Sequence, residues 1–100
     1  MAISVTNDFV FGQQTATAGT AAKLDAAEYA LKSLAMAAHS TNSGKVFYGG
    51  SDVASTTQKG LGPGSKISIG TTDGRTFLLS SIYIDVAVTG DGVDFIGERA

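Results

Sequence analysis

Groups able to do nucleophilic or acid–base chemistry are few in this chain, and they centre on one histidine. His39 directly precedes Ser40 and Thr41, so a base adjoins two hydroxyl groups. Such catalysis requires the base within hydrogen-bond reach of the nucleophile, and a third group that orients the base. Successive side chains of an extended segment point to opposite faces, and no orienting acid is identifiable beside His39. We therefore predict that His39 is structural or exposed, that the chain has no catalytic residues, and that it is not an enzyme.

Two carboxylates lie close together in Asp91-Gly92-Val93-Asp94, which is similar to part of a calcium-binding loop. Calcium takes roughly 6–8 oxygen ligands, and an EF-hand loop closes with a glutamate that is missing here. We interpret the segment as a turn. The chain contains no cysteine, which excludes disulfides and thiolate metal sites. No metal site is predicted.

Two glycine runs, Gly49-Gly50 and Gly60-Leu61-Gly62-Pro63-Gly64, share their composition with phosphate-binding loops. Neither run contains the lysine and following Ser or Thr of a P-loop, and neither has the dinucleotide-binding spacing. We interpret both runs as turns, and we predict no cofactor.

The charge balance argues for protein partners and against nucleic acid. The seven Lys and Arg residues are scattered singly and the net charge is −2, whereas phosphate binding needs clustered cations. Charged residues make up 16% of the chain, against a usual value of about 25%. Dehydrating so weakly charged a surface costs little free energy, which favours lasting protein–protein contacts.

The sequence predicts neither export nor a membrane partner. The N-terminus lacks the basic region and the apolar run of a signal peptide. The apolar-leaning stretch from residue 26 to 38 is interrupted by Glu28 and Lys32 and is too short to cross a bilayer. We expect a protein that is made in a cytoplasm.

Most of the chain consists of short strand-like segments separated by glycine-rich turns. Ser65 to Ile69 alternates polar and apolar residues, which is the period of a half-buried strand. The other predicted strands are 3–6, 9–11, 20–24, 46–48 and 75–79, with a polar loop at 12–19 and turns at 60–64 and 71–74.

The segment from Ile82 to Val88 also alternates, and Val93 to Ile96 follows it after Gly90-Asp91-Gly92. Glycine and aspartate tolerate the positive φ angles of tight turns. This pattern predicts a β-hairpin with Asp85 and Asp94 on its solvent face.

Residues 25–39 fit two structures. Their alanine, leucine and lysine content favours a helix, and Leu24, Leu31 and Ala38 fall at helical spacing. However, Leu34, Met36 and Ala38 also alternate, as in a strand. Residue propensity alone favours the helix.

Glycine turns recurring at intervals of roughly 8–12 residues predict an all-β fold. We expect an antiparallel β-sandwich or a jelly-roll-like barrel of about 7–8 short strands, with one short helical turn near residues 25–30. Residues 1–19 are predicted as an N-terminal arm or edge strand, and residues 20–100 as the β-sandwich domain.

One ordered set of motifs resembles a known family. Gly44 to Val53, which includes Gly49-Gly50-Ser51-Asp52-Val53, precedes Leu61-Gly62-Pro63-Gly64 and the strand containing Ile67 and Ile69. This order, together with the strand Ile82 to Val86, resembles a small β-sandwich structural module of tailed bacteriophages across residues 20–98. The resemblance implies that residues 30–39 are extended. It also implies a virion component, either a capsid decoration (cement) protein or a head-fibre or tail-associated protein, and it brings no catalytic residues.

The expected function is therefore that of a virion structural protein, assembled in the host cytoplasm. A capsid decoration protein would bind the major capsid protein or other virion proteins, and it would form a homo-oligomer, with a trimer favoured. The alternatives are a tail, neck or fibre component and a carbohydrate-binding adhesion module.

Overall fold

In a computed structural model, the described residues form ten strands and one 3₁₀ turn, with strands of alternating burial separated by glycine-containing turns. The structure describes residues 3–6, 9–54, 60–70 and 75–100. The strands are β1 (Ile3–Thr6), β2 (Phe9–Thr15), β3 (Ala22–Lys23), β4 (Ala30–Ala38), β5 (Val46–Gly49), β6 (Gly60–Leu61), β7 (Lys66–Gly70), β8 (Phe77–Leu78), β9 (Tyr83–Val86) and β10 (Gly92–Arg99), and the 3₁₀ turn is Leu79–Ser81.

The strands form two antiparallel sheets. The large sheet has the order β1-β2-β10-β4-β7, with β8 also pairing with β4, and the small sheet has the order β3-β9-β5-β6. In the large sheet β10 is central, pairing with β2 on one side and β4 on the other. The prediction of an all-β fold with sandwiched antiparallel sheets is confirmed. Seven of the ten strands have four or more residues, and the other three have two.

One hydrophobic core joins the two sheets. The large sheet contributes alternate residues such as Leu34, Met36 and Val93, and the small sheet contributes Ile84 and Val86. Val10 and Ala16 belong to the same buried cluster, so residues 9–16 share the core of the region predicted as the 20–100 domain. Strand β1 lies at the edge of the large sheet.

Residues 30–38 form the longest strand, β4, where residue propensity favours a helix. Pairing with β10 on one edge and with β7 on the other satisfies the backbone of β4, and alternation buries Leu34, Met36 and Ala38. Tertiary pairing therefore overrides the helical propensity of alanine and leucine. No helical turn forms at residues 25–30. Instead, the buried Asp25 carboxylate accepts the backbone N–H of Ala27 at 2.8 Å, which makes an Asx turn.

The predicted hairpin of residues 82–96 is wrong. Strand β9 pairs with β3 and β5 in the small sheet, whereas β10 pairs with β2 and β4 in the large sheet. The Gly90-Asp91-Gly92 segment therefore crosses from one sheet to the other. A positive φ of 96° at Gly90 bends the chain into this crossing.

Asp85 is buried, contrary to its predicted place on the solvent face, and Asp94 is exposed as predicted. Oδ1 of Asp85 accepts the backbone N–H groups of Gly19 at 3.0 Å and of Val86 at 2.8 Å. These bonds compensate for burying the charge, and they attach the loop after β2 to the small sheet.

The glycine-rich segments divide between turns and strands. Strand β2 runs to Thr15, so the predicted polar loop at 12–19 begins later, because residues 12–15 pair with β10. Gly60 and Leu61 pair with β5, and the turn follows at Pro63-Gly64. There the Ser65 N–H donates to the Gly62 carbonyl at 2.9 Å, and Gly64 has a φ of 79°, as a type II turn requires. The predicted turn at 71–74 lies outside the described residues.

Polar bonds fix the crossing between β9 and β10. The buried Asp91 carboxylate accepts the N–H of Ser43 at 3.0 Å to each oxygen and the N–H of Gly44 at 2.8 Å. The Asn42 side chain donates to the Gly92 carbonyl at 2.9 Å and accepts the Gly92 N–H at 3.0 Å. The turn after β4 is thereby attached to the start of β10.

We expect Gly92→Ala to lower the free energy of unfolding by about 2–4 kcal/mol. A Cβ atom at Gly92 would overlap the carbonyl oxygen of Gln14 on the paired strand β2, and neither backbone can move without breaking the ladder. The measurement is urea denaturation followed by circular dichroism. The control is Gly70→Ala, where a Cβ would meet its nearest atom, the Lys32 carbonyl oxygen, at 3.9 Å. Equal stabilities for the two variants would contradict this packing.

Asp91→Ala should lower the free energy of unfolding by about 2–4 kcal/mol, because it leaves the N–H groups of Ser43 and Gly44 without their acceptor in a partly buried site. Asp52→Ala, at an exposed turn position after β5, should change it by less than about 0.5 kcal/mol. Thermal and urea denaturation of both variants measure the difference. A stable Asp91→Ala protein would show that the carboxylate does not hold the crossing.

Candidate functional site: the outer face of the large sheet

The large sheet has one face in the core and one facing away from it. We call the second the outer face, and its side chains lie in three rows that follow from the strand registers. From β2 through β10 and β4 to β7, the rows are Phe9-Glu98-Ser33-Gly70, Phe11-Ile96-Ala35-Ser68 and Gln13-Asp94-Ala37-Lys66.

The core determines which residues form this face. Val10 on β2 and Val93 and Phe95 on β10 are buried, and successive side chains of a strand alternate between faces. Phe9, Phe11 and Ile96 must therefore point away from the core. They are 43%, 40% and 46% exposed, respectively.

Apolar exposure on this scale is concentrated on the outer face. Among the described residues the other large hydrophobic side chains of comparable exposure are Leu78, on the short strand β8 of the same sheet, and Val88, on the segment after β9. Single exposed apolar residues are ordinary, but a cluster on one surface indicates an interaction site. The outer face is therefore the candidate functional site.

The outer face contains a groove, because the two halves of the sheet carry side chains of different size. On β4 and β7 the outward residues include Ala35, Ala37 and Ser68, which are small, while Phe11 and Ile96 stand beside them on β2 and β10. The groove has a volume of about 710 Å³ and is open along its length.

Polar and charged groups lie in the first and third rows, on either side of the Phe11-Ile96-Ala35-Ser68 row. His39 Nε2 is 3.0 Å from Asp94 Oδ1, and Lys32 Nζ is 3.7 Å from Glu98 Oε2. The hydroxyl of Ser33 donates to Glu98 Oε1 at 3.4 Å. These two pairs lie on opposite sides of the apolar middle row.

The structure gives His39 an acid partner that the sequence does not reveal. Asp94 is 55 residues away in the chain, and the pairing of β10 with β4 brings the two side chains together. Ser40 and Thr41 lie in the turn that follows β4. The prediction that His39 has no catalytic role stays a prediction.

The two carboxylates of the 91–94 segment do not converge. Asp91 is buried and accepts backbone N–H groups, whereas Asp94 is exposed on the outer face. Within the part of the chain that the structure describes, no three His, Asp or Glu residues are grouped so that they could hold a metal ion.

The three tyrosines are only partly accessible. Tyr29, Tyr48 and Tyr83 are all half-buried, and the guanidinium of Arg99 lies 5.0 Å from the centre of the Tyr29 ring. The most exposed aromatic residues are instead Phe9 and Phe11. Both phenylalanines lie on the candidate site, whereas the other six aromatic residues are buried or half-buried.

Comparison of the chain with protein-family models, with curated proteins and with solved structures finds no match. Across the described residues, no helix has the length and apolar character needed to cross a membrane.

Proposed function

We propose that this chain is a virion structural protein, and specifically a capsid decoration (cement) protein that stabilises the head shell through protein–protein contacts. The observation that carries the proposal is the outer face, with three large apolar side chains 40% or more exposed on one surface. The resemblance of residues 20–98 to a structural module of tailed phages supplies the virion context.

Other features of the chain support a role in lasting contacts. Only 16% of its residues are charged, and the centre of the outer face is apolar, with the Lys32–Glu98 ion pair and the His39–Asp94 hydrogen bond at its periphery. An interface whose centre loses water stabilises a complex through apolar burial, at about 25 cal/mol per Å². A shell protein present in many copies would use such a face at every site.

A tail, neck or fibre component would have the same kind of face, and copy number separates it from a decoration protein. The carbohydrate-binding alternative gains no support from a specific residue, because the tyrosines are half-buried.

We expect purified virions of the phage encoding this chain to contain it at a copy number comparable to that of the major capsid protein. A decoration protein occupies every equivalent position of a symmetric shell. Quantitative mass spectrometry with isotope-labelled peptides from both proteins measures the ratio. A handful of copies per particle would support the tail alternative, and absence from the particle would overturn the virion proposal.

Phe11→Asp should weaken binding of the chain to particles that lack it by at least about tenfold, because it places an unpaired charge in the apolar centre of the outer face. The matched control is Val88→Asp, since Val88 is 41% exposed and Phe11 is 40% exposed, and Val88 lies outside this face. Co-sedimentation with particles measures binding, and circular dichroism checks the fold. Equal binding by the two variants would show that another surface makes the contact.

A further inference from the structure

We infer that the open edge of β7 pairs with the β7 edge of a second copy of this chain, around a two-fold axis that is perpendicular to the large sheet and passes beside Ser68. This contact uses the edge of the sheet and leaves the outer face free, so it goes beyond the proposed particle contact. Three observations carry it: the backbone groups at this edge, the half-buried isoleucines beside them, and the order of residues in the strand.

Strand β7 is at one end of the large sheet. It pairs with β4, and within the described ranges no strand lies along its other edge. An open edge presents unpaired N–H and C=O groups, to which an extended segment of another chain can add as a further strand. The end strands of the small sheet, β3 and β6, have two residues each, whereas β7 has five. Strand β7 is therefore long enough to form a regular ladder.

The hydrogen bonds to β4 determine which residues of β7 face this edge. The Ala38 N–H donates to the Ser65 carbonyl at 2.9 Å. Bonded pairs recur at every second residue of an antiparallel ladder, so the residues of β7 at even distances from Ser65 bond to β4. The other three, which are Lys66, Ser68 and Gly70, direct their N–H and C=O groups to the open edge.

The core is less completely covered at β7 than in the middle of the large sheet. Ile67 and Ile69 pack against the core, but they are only half-buried. Their partners on β4, Met36 and Leu34, are 2% and 1% exposed. A further strand beside β7 would remove the remaining surface of the isoleucines from water, provided that its own core-facing residues are apolar.

The residue order of β7 makes the strand its own complement. When two copies pair antiparallel about Ser68, this residue faces its counterpart and Lys66 faces Gly70. Each facing pair exchanges two hydrogen bonds, so all three N–H and all three C=O groups at each edge are used. Ile67 of one copy then faces Ile69 of the other, at the positions where side chains on opposed strands approach most closely. Both half-buried isoleucines are thereby covered.

The charges of the sheet permit this register. Lys66 is the charged residue of β7, and the two Lys66 side chains lie at opposite ends of the paired strands, about 14 Å apart. Asp94 and Glu98 are on β10, so five strand spacings, or about 24 Å, separate them from the same residues of the second copy. Lys32 of the second copy is two strand spacings, about 10 Å, from Lys66, and it pairs with Glu98 there.

The same axis keeps both outer faces on one surface. Rotation about an axis perpendicular to a sheet does not turn the sheet over, so Phe9, Phe11 and Ile96 of both copies point to the same side. A dimer can therefore bind a particle with two outer faces, and the second contact forms within an existing complex. This geometry and the self-complementary residue order favour a second copy over a segment of another protein. The edge joins two copies, whereas the sequence favours a trimer.

Single cysteines test the register, because the chain has none of its own. Ser68→Cys should form a disulfide-linked dimer under mild oxidation, since facing residues of a bonded pair have Cα atoms about 5.5 Å apart, within the range of a disulfide. Lys66→Cys alone should cross-link at least tenfold more slowly, but its mixture with Gly70→Cys should form heterodimers. Ser51→Cys, at an exposed turn after β5, controls for random collision.

Sedimentation equilibrium of the full chain measures the contact without modification. An edge pair buries less area than a standard interface, so we expect a monomer–dimer equilibrium with a dissociation constant between about 10 µM and 1 mM. Ser68→Pro removes the central N–H of the open edge and keeps the bonds to β4, so it should raise this constant at least tenfold. Ser68→Thr keeps the N–H and should leave it within about threefold. Circular dichroism and urea denaturation check that both variants fold.

A chain that stays monomeric up to about 1 mM, or a dimer unaffected by Ser68→Pro, would overturn the inference. Equal cross-linking rates for Lys66→Cys and Ser68→Cys would also overturn it, because the register would then be wrong. A monomer whose binding to particles is lost in Ser68→Pro would assign the edge to a segment of a shell protein instead of a second copy. These outcomes are separable from failure of the proposed function, since a monomer abundant on particles keeps the virion role, and a dimer absent from particles keeps the edge contact.

Discussion

The buried crossing between β9 and β10 is the constraint on which the arrangement of the two sheets depends. Asp91 accepts the N–H groups of Ser43 and Gly44 in the turn after β4. The Asn42 side chain forms hydrogen bonds with both the carbonyl and the N–H of Gly92 at the start of β10. The absence of a side chain at Gly92 lets β10 approach the backbone of β2 at Gln14. Because the donors lie in a partly buried site, where water competes weakly, each of these bonds has more influence than an exposed one.

The position and rotation of β10 follow from this crossing. Once β10 enters the large sheet at Gly92, burial of Val93 and Phe95 directs Asp94, Ile96 and Glu98 outward. The same alternation around Val10 directs Phe9 and Phe11 outward on β2. The core therefore accounts for the direction of these side chains but not for their type. Solvent exposure alone would favour polar residues there.

Local patterns predict most of the strands and little of their pairing. Ser65 to Ile69 and Val46 to Tyr48 show strand periodicity, and both are strands. The alternation from Ile82 to Val88 and the glycines after it correctly predict two strands joined by a turn. They wrongly predict that the two strands pair with each other. A turn sequence permits positive φ without specifying whether the next strand returns beside the last one or enters the opposite sheet. The prediction that Asp85 is exposed is wrong for the same reason, because the 16–20 loop, whose Gly19 N–H donates to Asp85, comes from a distant part of the chain.

The sequence by itself determines an all-β chain without cysteine, low in charge and bent at glycines, because alternation, turn residues and composition are local properties. It also contains Phe9-Val10-Phe11, but the pattern does not decide whether Val10 or the two phenylalanines face the core. Only the tertiary structure decides that Val10 is inward, that His39 meets Asp94, and that small residues on β4 and β7 lie beside the exposed phenylalanines. Those juxtapositions depend on strand order and register, which are set by contacts between residues far apart in the chain.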